Sequence, residues 1–361
     1  MFLSRLDTLQ FRNLEPTRLD LSPGVVLITG PNGSGKTSLL EAVAMLGSGR
    51  SFRSNRMSAV IRYGAASLTV FGELRTSSQA SVSIGITRER SGVSQIKVAG
   101  EAVRTASELA TVLPVQVIDP GSVELVTEGP SVRRRFLDWG TFHVEPSFLR
   151  VWREYRRCLE QRNALLRSNT SSEQFDLWER QLAENARQID DMRTRYVDAL
   201  KPEVVKALEE LGGAEDVSAH YARGWEDGLE LDEVLSSTRR GDREAGYTRA
   251  GPQRADLRLV ATGRKAADVL SRGQQKILAC ALLLAQARQL ESATEKTGIY
   301  LVDDPAAELD EARRARLGKA LTAMKGQVWI TAVQADLMLD GLGEASGLAR
   351  FHVEQGRVST V

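Results

Sequence analysis

Eight consecutive residues, Gly30-Pro31-Asn32-Gly33-Ser34-Gly35-Lys36-Thr37, have the types and spacing that hold a polyphosphate. Glycines let the backbone curl until successive amides face phosphate oxygens, the lysine neutralises β and γ oxygens, and the threonine hydroxyl ligates Mg²⁺. The stretch follows the apolar run Val25-Val26-Leu27-Ile28-Thr29 and opens the helix-like Ser38-Leu39-Leu40-Glu41-Ala42-Val43. Strand, loop and helix therefore come in the order this chemistry requires, and a nucleoside triphosphate with Mg²⁺ is the expected ligand.

A second acidic site lies far along the chain. In Ile299-Tyr300-Leu301-Val302-Asp303-Asp304, four apolar residues carry Asp303 to a strand end, where it would hold Mg²⁺, usually through water. Asp304 then stands where a base polarises the attacking water. Many ABC-type ATPases carry Glu there, so the shorter Asp implies slow hydrolysis. Leu270-Ser271-Arg272-Gly273-Gln274-Gln275-Lys276 precedes that strand, opens the helix Ile277 to Leu290, and resembles the ABC signature motif. The Ser271 hydroxyl and the Gly273 amide, followed by Gln274, suit a γ-phosphate at a helix N-terminus. In ABC ATPases that phosphate belongs to the opposite subunit, so the resemblance implies an ATP-dependent homodimer. Taken alone, Ser-x-Gly-Gln also reads as an ordinary helix cap. The same resemblance makes Gln116 the residue that senses Mg²⁺ and water. It makes Ala307-Glu308-Leu309-Asp310 the loop at the dimer seam. Trp329-Ile330-Thr331-Ala332-Val333-Gln334 holds no switch histidine, a second sign of weak turnover.

The elements that must position these residues are legible in outline. Val25–Thr29, Leu68–Glu73, Val82–Thr87 and Ile96–Val98 are β-branched runs bounded by Gly and Ser, which predicts strands. From Phe148 the period becomes helical: Trp152, Tyr155, Leu159 and Leu166 share a face, with Arg162 filling a seam position. After a polar turn at 167–172, Phe175, Trp178, Leu182, Asn185, Ile189, Met192, Tyr196 and Ala199 continue it. Two helices of about 25 residues would pair antiparallel into an arm of ~37 Å. The expected fold class is α/β: an ATPase head built from residues 1–130 and 251–361, with a mainly helical lobe at 131–250 carrying the short arm.

Composition permits this and excludes other classes. The chain has 361 residues, 42% of them apolar, with a net charge of +1, so disorder is not the default reading and any DNA site must be a local concentration of Arg and Lys. Cys158 and Cys280 are far apart and outside any metal-ligand spacing, which speaks against disulfide and zinc scaffolds. Charges at Arg5 and Asp7 come too early for a signal peptide, and no apolar run is of membrane-spanning length, so the expected location is cytoplasmic, without a membrane partner.

Segments along nearly the whole chain resemble the RecF family of bacterial recombination mediators, whose ATPase heads are related to those of SMC proteins. They are Phe11-Arg12-Asn13-Leu14, Gly49-Arg50-Ser51-Phe52-Arg53, Arg133 to Trp139, Gln161 to Leu166, and Gly251-Pro252-Gln253-Arg254-Ala255-Asp256-Leu257. The family often has His where Gln253 stands. The resemblance implies that Arg12 and Asn13 join the P-loop at ATP. It further implies a weak DNA-stimulated ATPase that dimerises on single-stranded, duplex or gapped junction DNA and works with RecR, RecO and RecA. Independently, no acidic residue lies between Glu41 and Glu73, whereas Arg50, Arg53, Arg56 and Arg62 do, a stretch able to meet DNA phosphates. A second Arg concentration runs from Arg133 to Arg157. Either run also reads as a solvated or internally paired face. A transporter subunit would lack the inserted hairpin, an SMC protein needs far longer coiled coils, and a small-molecule kinase has no use for the 270–276 motif.

Overall fold

The computed structural model describes residues 1–76, 80–168, 172–214, 216–294, 296–305, 309–343 and 347–361. The chain divides into two units. One comprises Met1–Val123, Ala207–Gly213 and Lys276–Val361; the other comprises Glu124–Lys206 and Ala214–Gln275.

The first unit holds two six-stranded sheets. The sheet that carries the chemistry runs Arg357–Thr360, Ala349–Glu354, Val25–Thr29, Gln327–Ala332, Ile299–Val302, Val115–Ile118, and all but its first strand are parallel. Val25–Thr29, Gln327–Ala332 and Ile299–Val302 are almost entirely buried apolar runs, as expected of parallel strands covered on both faces. Their register aligns Thr29 with Ala332, Ile330 with Val302, and Val302 with Ile118. The loop 30–37 and Asp303 therefore emerge together at the carboxyl edge, where open α/β sheets bind ligands.

The other sheet is antiparallel, in the order Thr17–Asp20, Phe2–Leu9, Ser67–Arg75, Ser81–Glu89, Ser94–Val98, Glu101–Ala102. Ser67–Arg75 buries every second residue, so one face packs inward. The helix Lys36–Ser48 is buried on nearly every side, and its Leu39, Leu40, Val43 and Leu46 join strands of both sheets in one core. Helix and antiparallel sheet meet closely at Gly72, where a Cβ would meet the Leu46 side chain.

The expected arm is present, as Phe148–Leu166 and Ser172–Leu211, the second helix belonging to the second unit up to Lys206. Contacts pairing Ser147 with Met192, Cys158 with Gln181, and Arg162 with Glu179 make them antiparallel. The second helix runs 40 residues, through Pro202, about 60 Å rather than ~37 Å. Asn185, the expected polar seam residue of this helix, is half-exposed and Ala186 takes the buried position, while Arg162, at its expected seam position on the first helix, is wholly buried. Residues 251–275 belong to this unit rather than to the ATPase head, because Asp256–Ala261 pairs with Val217–Ala222, a partner some distance back in the chain.

Candidate functional site

Between the strand Val25–Thr29 and the helix Lys36–Ser48, Gly30, Gly33 and Gly35 hold φ of +145°, +78° and +122°. At Gly35 a side chain would be strained by that backbone and would also press on Leu14 and Asn13. Asn13 braces the loop from behind. Its Nδ2 donates to the carbonyls of Gly33 (3.1 Å) and Ser34 (3.2 Å), and its Oδ1 accepts from the Ser38 hydroxyl (2.9 Å). Lys36, 6% exposed, donates from Nζ to the carbonyls of Gly30 (2.7 Å) and Pro31 (3.1 Å). Burial holds its ammonium below the ordinary lysine pKa, and the charges of Asp304 and Asp303 oppose that shift.

The two motifs that are 266 residues apart in sequence meet here. The Thr37 hydroxyl donates to Asp303 at 2.9 and 3.0 Å from its two carboxylate oxygens, and the Thr331 hydroxyl donates to Asp303 Oδ1 at 2.7 Å. Hard oxygen donors with one full negative charge, side by side beside a phosphate loop, fit Mg²⁺. Asp304 takes a left-handed φ of +46°, and its amide donates to Thr331 Oγ1 at 2.9 Å. Next to them Asp119 ends the neighbouring strand. Burial first, and then the charge of Asp303, raise its pKa. A pocket of about 950 Å³ opens over Asn32, Gly33, Lys36, Thr37, Asp303 and Asp304.

Arg12 lines this pocket, but its guanidinium is committed to the buried Glu41, with Nε to Oε2 at 2.8 Å and Nη2 to Oε1 at 2.6 Å, and to the carbonyl of Ala59 at 2.7 Å. Gln116 is a correction. It sits within the strand Val115–Ile118, and its Nε2 donates to the carbonyl of Leu283 (3.0 Å) and to Gln286 (3.2 Å), so it braces a helix and does not line the pocket. Side chains alternate along a strand, so Asp119, three residues on and just past the strand end, stands at the carboxyl edge where Gln116, inside the strand, does not. Ser271 and Gln274 form a reciprocal cap: the Ser271 amide donates to Gln274 Oε1 (2.9 Å), and the Gln274 amide donates to Ser271 Oγ (3.3 Å). Ser271 is exposed and Gly273 half-buried. Of the expected seam loop, Ala307 and Glu308 lie outside the described residues.

Sequence reasoning missed Thr331, Arg90 and Tyr63. The fully exposed Tyr63 lines the pocket with Arg53, Arg62 and Arg90. The acid-free stretch that drew attention to Arg62 contained its only signal. Arg50, Arg53 and Arg56 are exposed and make no ion pair among the described residues; Arg62 is half-buried, with Nη1 3.4 Å from the carbonyl of Leu14. Within the second Arg concentration, two members are spent internally and two form exposed pairs. Arg133 is bidentate on Asp256, Arg134 donates to the carbonyl of Ala255, and Arg150 and Arg156 pair one turn along their own helix. Gln253 accepts a hydrogen bond from the Tyr155 hydroxyl and donates to the carbonyl of Ala250 at 2.9 Å.

Asp303→Asn tests the metal assignment. It preserves shape and removes the charge, so Mg²⁺-dependent turnover should fall about 100-fold while nucleotide affinity changes only a few-fold. Turnover and fluorescent-nucleotide titration read the two effects separately, and wild-type turnover would place the metal ligand elsewhere.

Residues 2–358 match the RecF/RecN/SMC N terminal domain family. The chain is 45% identical over 360 residues to the DNA replication and repair protein RecF of Pseudomonas fluorescens, covering 99% of this chain and 98% of that protein. It is similar to a solved structure of the recombination mediator protein RecF with ATP in the RecFOR pathway, at 26% identity and a TM-score of 0.86, covering 100% of this chain and 97% of that one. A Pyrococcus furiosus SMC head with an extended coiled coil shares the fold, with a TM-score of 0.61 at 16% identity over 100% of this chain and 96% of that chain. Among the described residues no helix is long and apolar enough to cross a membrane.

Proposed function

The chain belongs to the RecF family, and on that premise we propose that it is an ATP-dependent, DNA-binding recombination mediator. ATP with Mg²⁺ at the 30–37 loop closes a homodimer on gapped or single-stranded/duplex junction DNA. The dimer supports RecA loading together with RecO and RecR, and slow, DNA-stimulated hydrolysis resets it. The observation that carries this reading is the bonding of Thr37 to Asp303 within the pocket of the glycine-rich loop. Thr37 and Asp303 would hold Mg²⁺, which when bound would supply positive charge to offset the negative charge developing on the phosphates.

The chain's own residues supply the rest. Lys36 places a desolvated cation at the phosphates, Thr37 and Asp303 offer the metal a hydroxyl and a carboxylate, and Asn13 holds the loop that orients them. Thr331 fixes both the Asp303 carboxylate and the backbone of Asp304, so Asp304 is held at the strand end as the base for water. Its short side chain and the lack of a histidine in 329–334 suit a switch rather than a fast enzyme. The exposed Ser271, at a helix N-terminus, would meet the γ-phosphate held by the partner subunit.

Ser271→Arg is the test. Bulk and positive charge in the nucleotide sandwich should abolish the ATP-dependent dimer in sedimentation with ATP and Mg²⁺, while each monomer still binds fluorescent nucleotide. Loss of the cap alone costs roughly 1 kcal/mol of stability and changes no nucleotide-specific association. A dimer that persists in the folded variant rejects the shared site. Titration of gapped, single-stranded and duplex DNA with and without ATP tests the DNA arm, and ATP-independent or absent binding refutes it.

A further inference from the structure

A second cavity, of about 340 Å³ and distinct from the nucleotide pocket in its lining, lies in the same unit. Gly49, Arg50, Ser51 and Asn55 line it from the loop that follows the P-loop helix, and Arg88 and Glu89 line it from the end of the strand Ser81–Glu89. Arg88 was not among the sequence candidates, because in sequence it is one cation at the end of an ordinary alternating strand. In the fold its Nη2 donates to the carbonyl of Gly49 at 2.8 Å, which ties it to the arginine-rich loop.

The electrostatics of this cavity are incomplete as they stand. Arg88 makes no ion pair among the described residues, and its Nε is sealed from solvent without a hydrogen-bond partner. Arg50 is exposed and likewise forms no ion pair. Burial, and then the like charge of Arg50, push the Arg88 pKa down. The one acid on the cavity wall, Glu89, accepts from the Ser91 hydroxyl at 2.8 Å and pairs with neither arginine. Two guanidiniums held on one concave wall whose carboxylate pairs with neither of them are stabilised by an anion, and the planar fork of each matches the tetrahedral oxygens of a phosphate.

We infer that Arg50 and Arg88 form a phosphate pocket that takes one backbone phosphodiester of a DNA strand. A strand is favoured over a free phosphate because the exposed Arg53 and Arg56 follow on the same loop, and no acid lies between Glu41 and Glu73 to break a cationic track. The inference rests on the DNA-binding reading above and adds to it a specific site and a residue, Arg88.

The test uses the full chain with ATP and a fluorescent gapped duplex, titrated across a salt series. Arg88→Gln should weaken binding at low salt about 3- to 10-fold and lower the log–log salt slope by about 0.9, the release expected for one phosphate contact. Arg50→Gln should do the same. The double variant should lose little more than either single one, because both arginines hold one phosphate. Arg88→Lys keeps the charge and should retain the slope with part of the affinity, which separates a lost contact from a disturbed strand. Fluorescent-nucleotide affinity of Arg88→Gln should equal that of the wild type. Wild-type DNA binding with an unchanged slope in Arg88→Gln overturns the pocket and leaves the DNA reading intact. A wild type that binds no DNA overturns that reading, and the pocket with it. Saturable binding of inorganic phosphate lost in Arg88→Gln, with DNA binding unaltered, makes this a free-anion site and overturns the assignment to a strand.

Discussion

Lys36→Ala should weaken ATP binding by about 100-fold or more and leave the fold in place. Charge-assisted hydrogen bonds are worth about 1.5–3 kcal/mol each, and an ammonium that meets both β and γ oxygens makes at least two. The low exposure of Lys36 raises the effect, since a desolvated cation is screened little by water. Without nucleotide the variant gives up only the hydrogen bonds to the carbonyls of Gly30 and Pro31, on the order of 1 kcal/mol apiece. Fluorescent-nucleotide titration should therefore show the loss, and thermal melting without nucleotide should show only a modest shift. Wild-type ATP affinity in a folded Lys36→Ala variant would overturn the P-loop assignment.

The largest effect on stability is expected at Arg162, in the other unit. Its side chain is wholly buried and uses every nitrogen: Nε to Glu179 at 3.0 Å, Nη1 to Asp242 at 2.8 Å and to Thr248 at 2.8 Å, and Nη2 to the carbonyl of Leu235 at 3.1 Å. Arg162→Met removes the cation and leaves two carboxylates facing a closed interior, for which breaking a buried pair costs about 3–5 kcal/mol. Arg239 on Glu179 and Arg249 on Asp242 retain part of the compensation, so the lower end is expected. Replacing the three charged groups together, as Arg162→Met with Glu179→Leu and Asp242→Leu, should recover much of the loss, because no unpaired charge is then buried. Trp152, Trp178 and Trp225 pack with the core of this unit, so tryptophan fluorescence in a denaturant series reads the transition. A single variant as stable as the wild type would show that the network contributes nothing net.

Local order in the chain was enough to place the nucleotide loop. Gly30 to Thr37 needs only its own glycines, its preceding strand and its following helix, and all three are contiguous. The strand Val25–Thr29 begins and ends where its β-branched run does, and the hairpin of Phe148–Leu166 with the longer helix after it follows from helical spacing alone. Asp303 was legible for a similar reason, since an apolar run ending in a carboxylate is a local pattern.

What needed the fold was everything decided by partners remote in sequence. Asp303 meets Thr37 and Thr331 only because parallel strands align their carboxyl ends. Gln116 had the right residue type at a strand, yet its side chain turns to Gln286, because register, not residue type, determines which end and which face a strand residue occupies. Arg162 looked like a polar interruption of an apolar seam. It is instead the centre of that unit's charge network, since Asp242 and Thr248 are 80 and 86 residues away. Arg133 and Arg134 looked like a cationic surface until Asp256 and the Ala255 carbonyl were brought against them. Arg88 shows the reverse: an unremarkable strand residue becomes half of a cationic cavity when the loop after the P-loop helix folds against it. Sequence determines which charges a chain carries, but pairing is a short-range interaction that falls off over a few ångströms, so only the tertiary structure decides which are spent inside and which are left to meet a ligand.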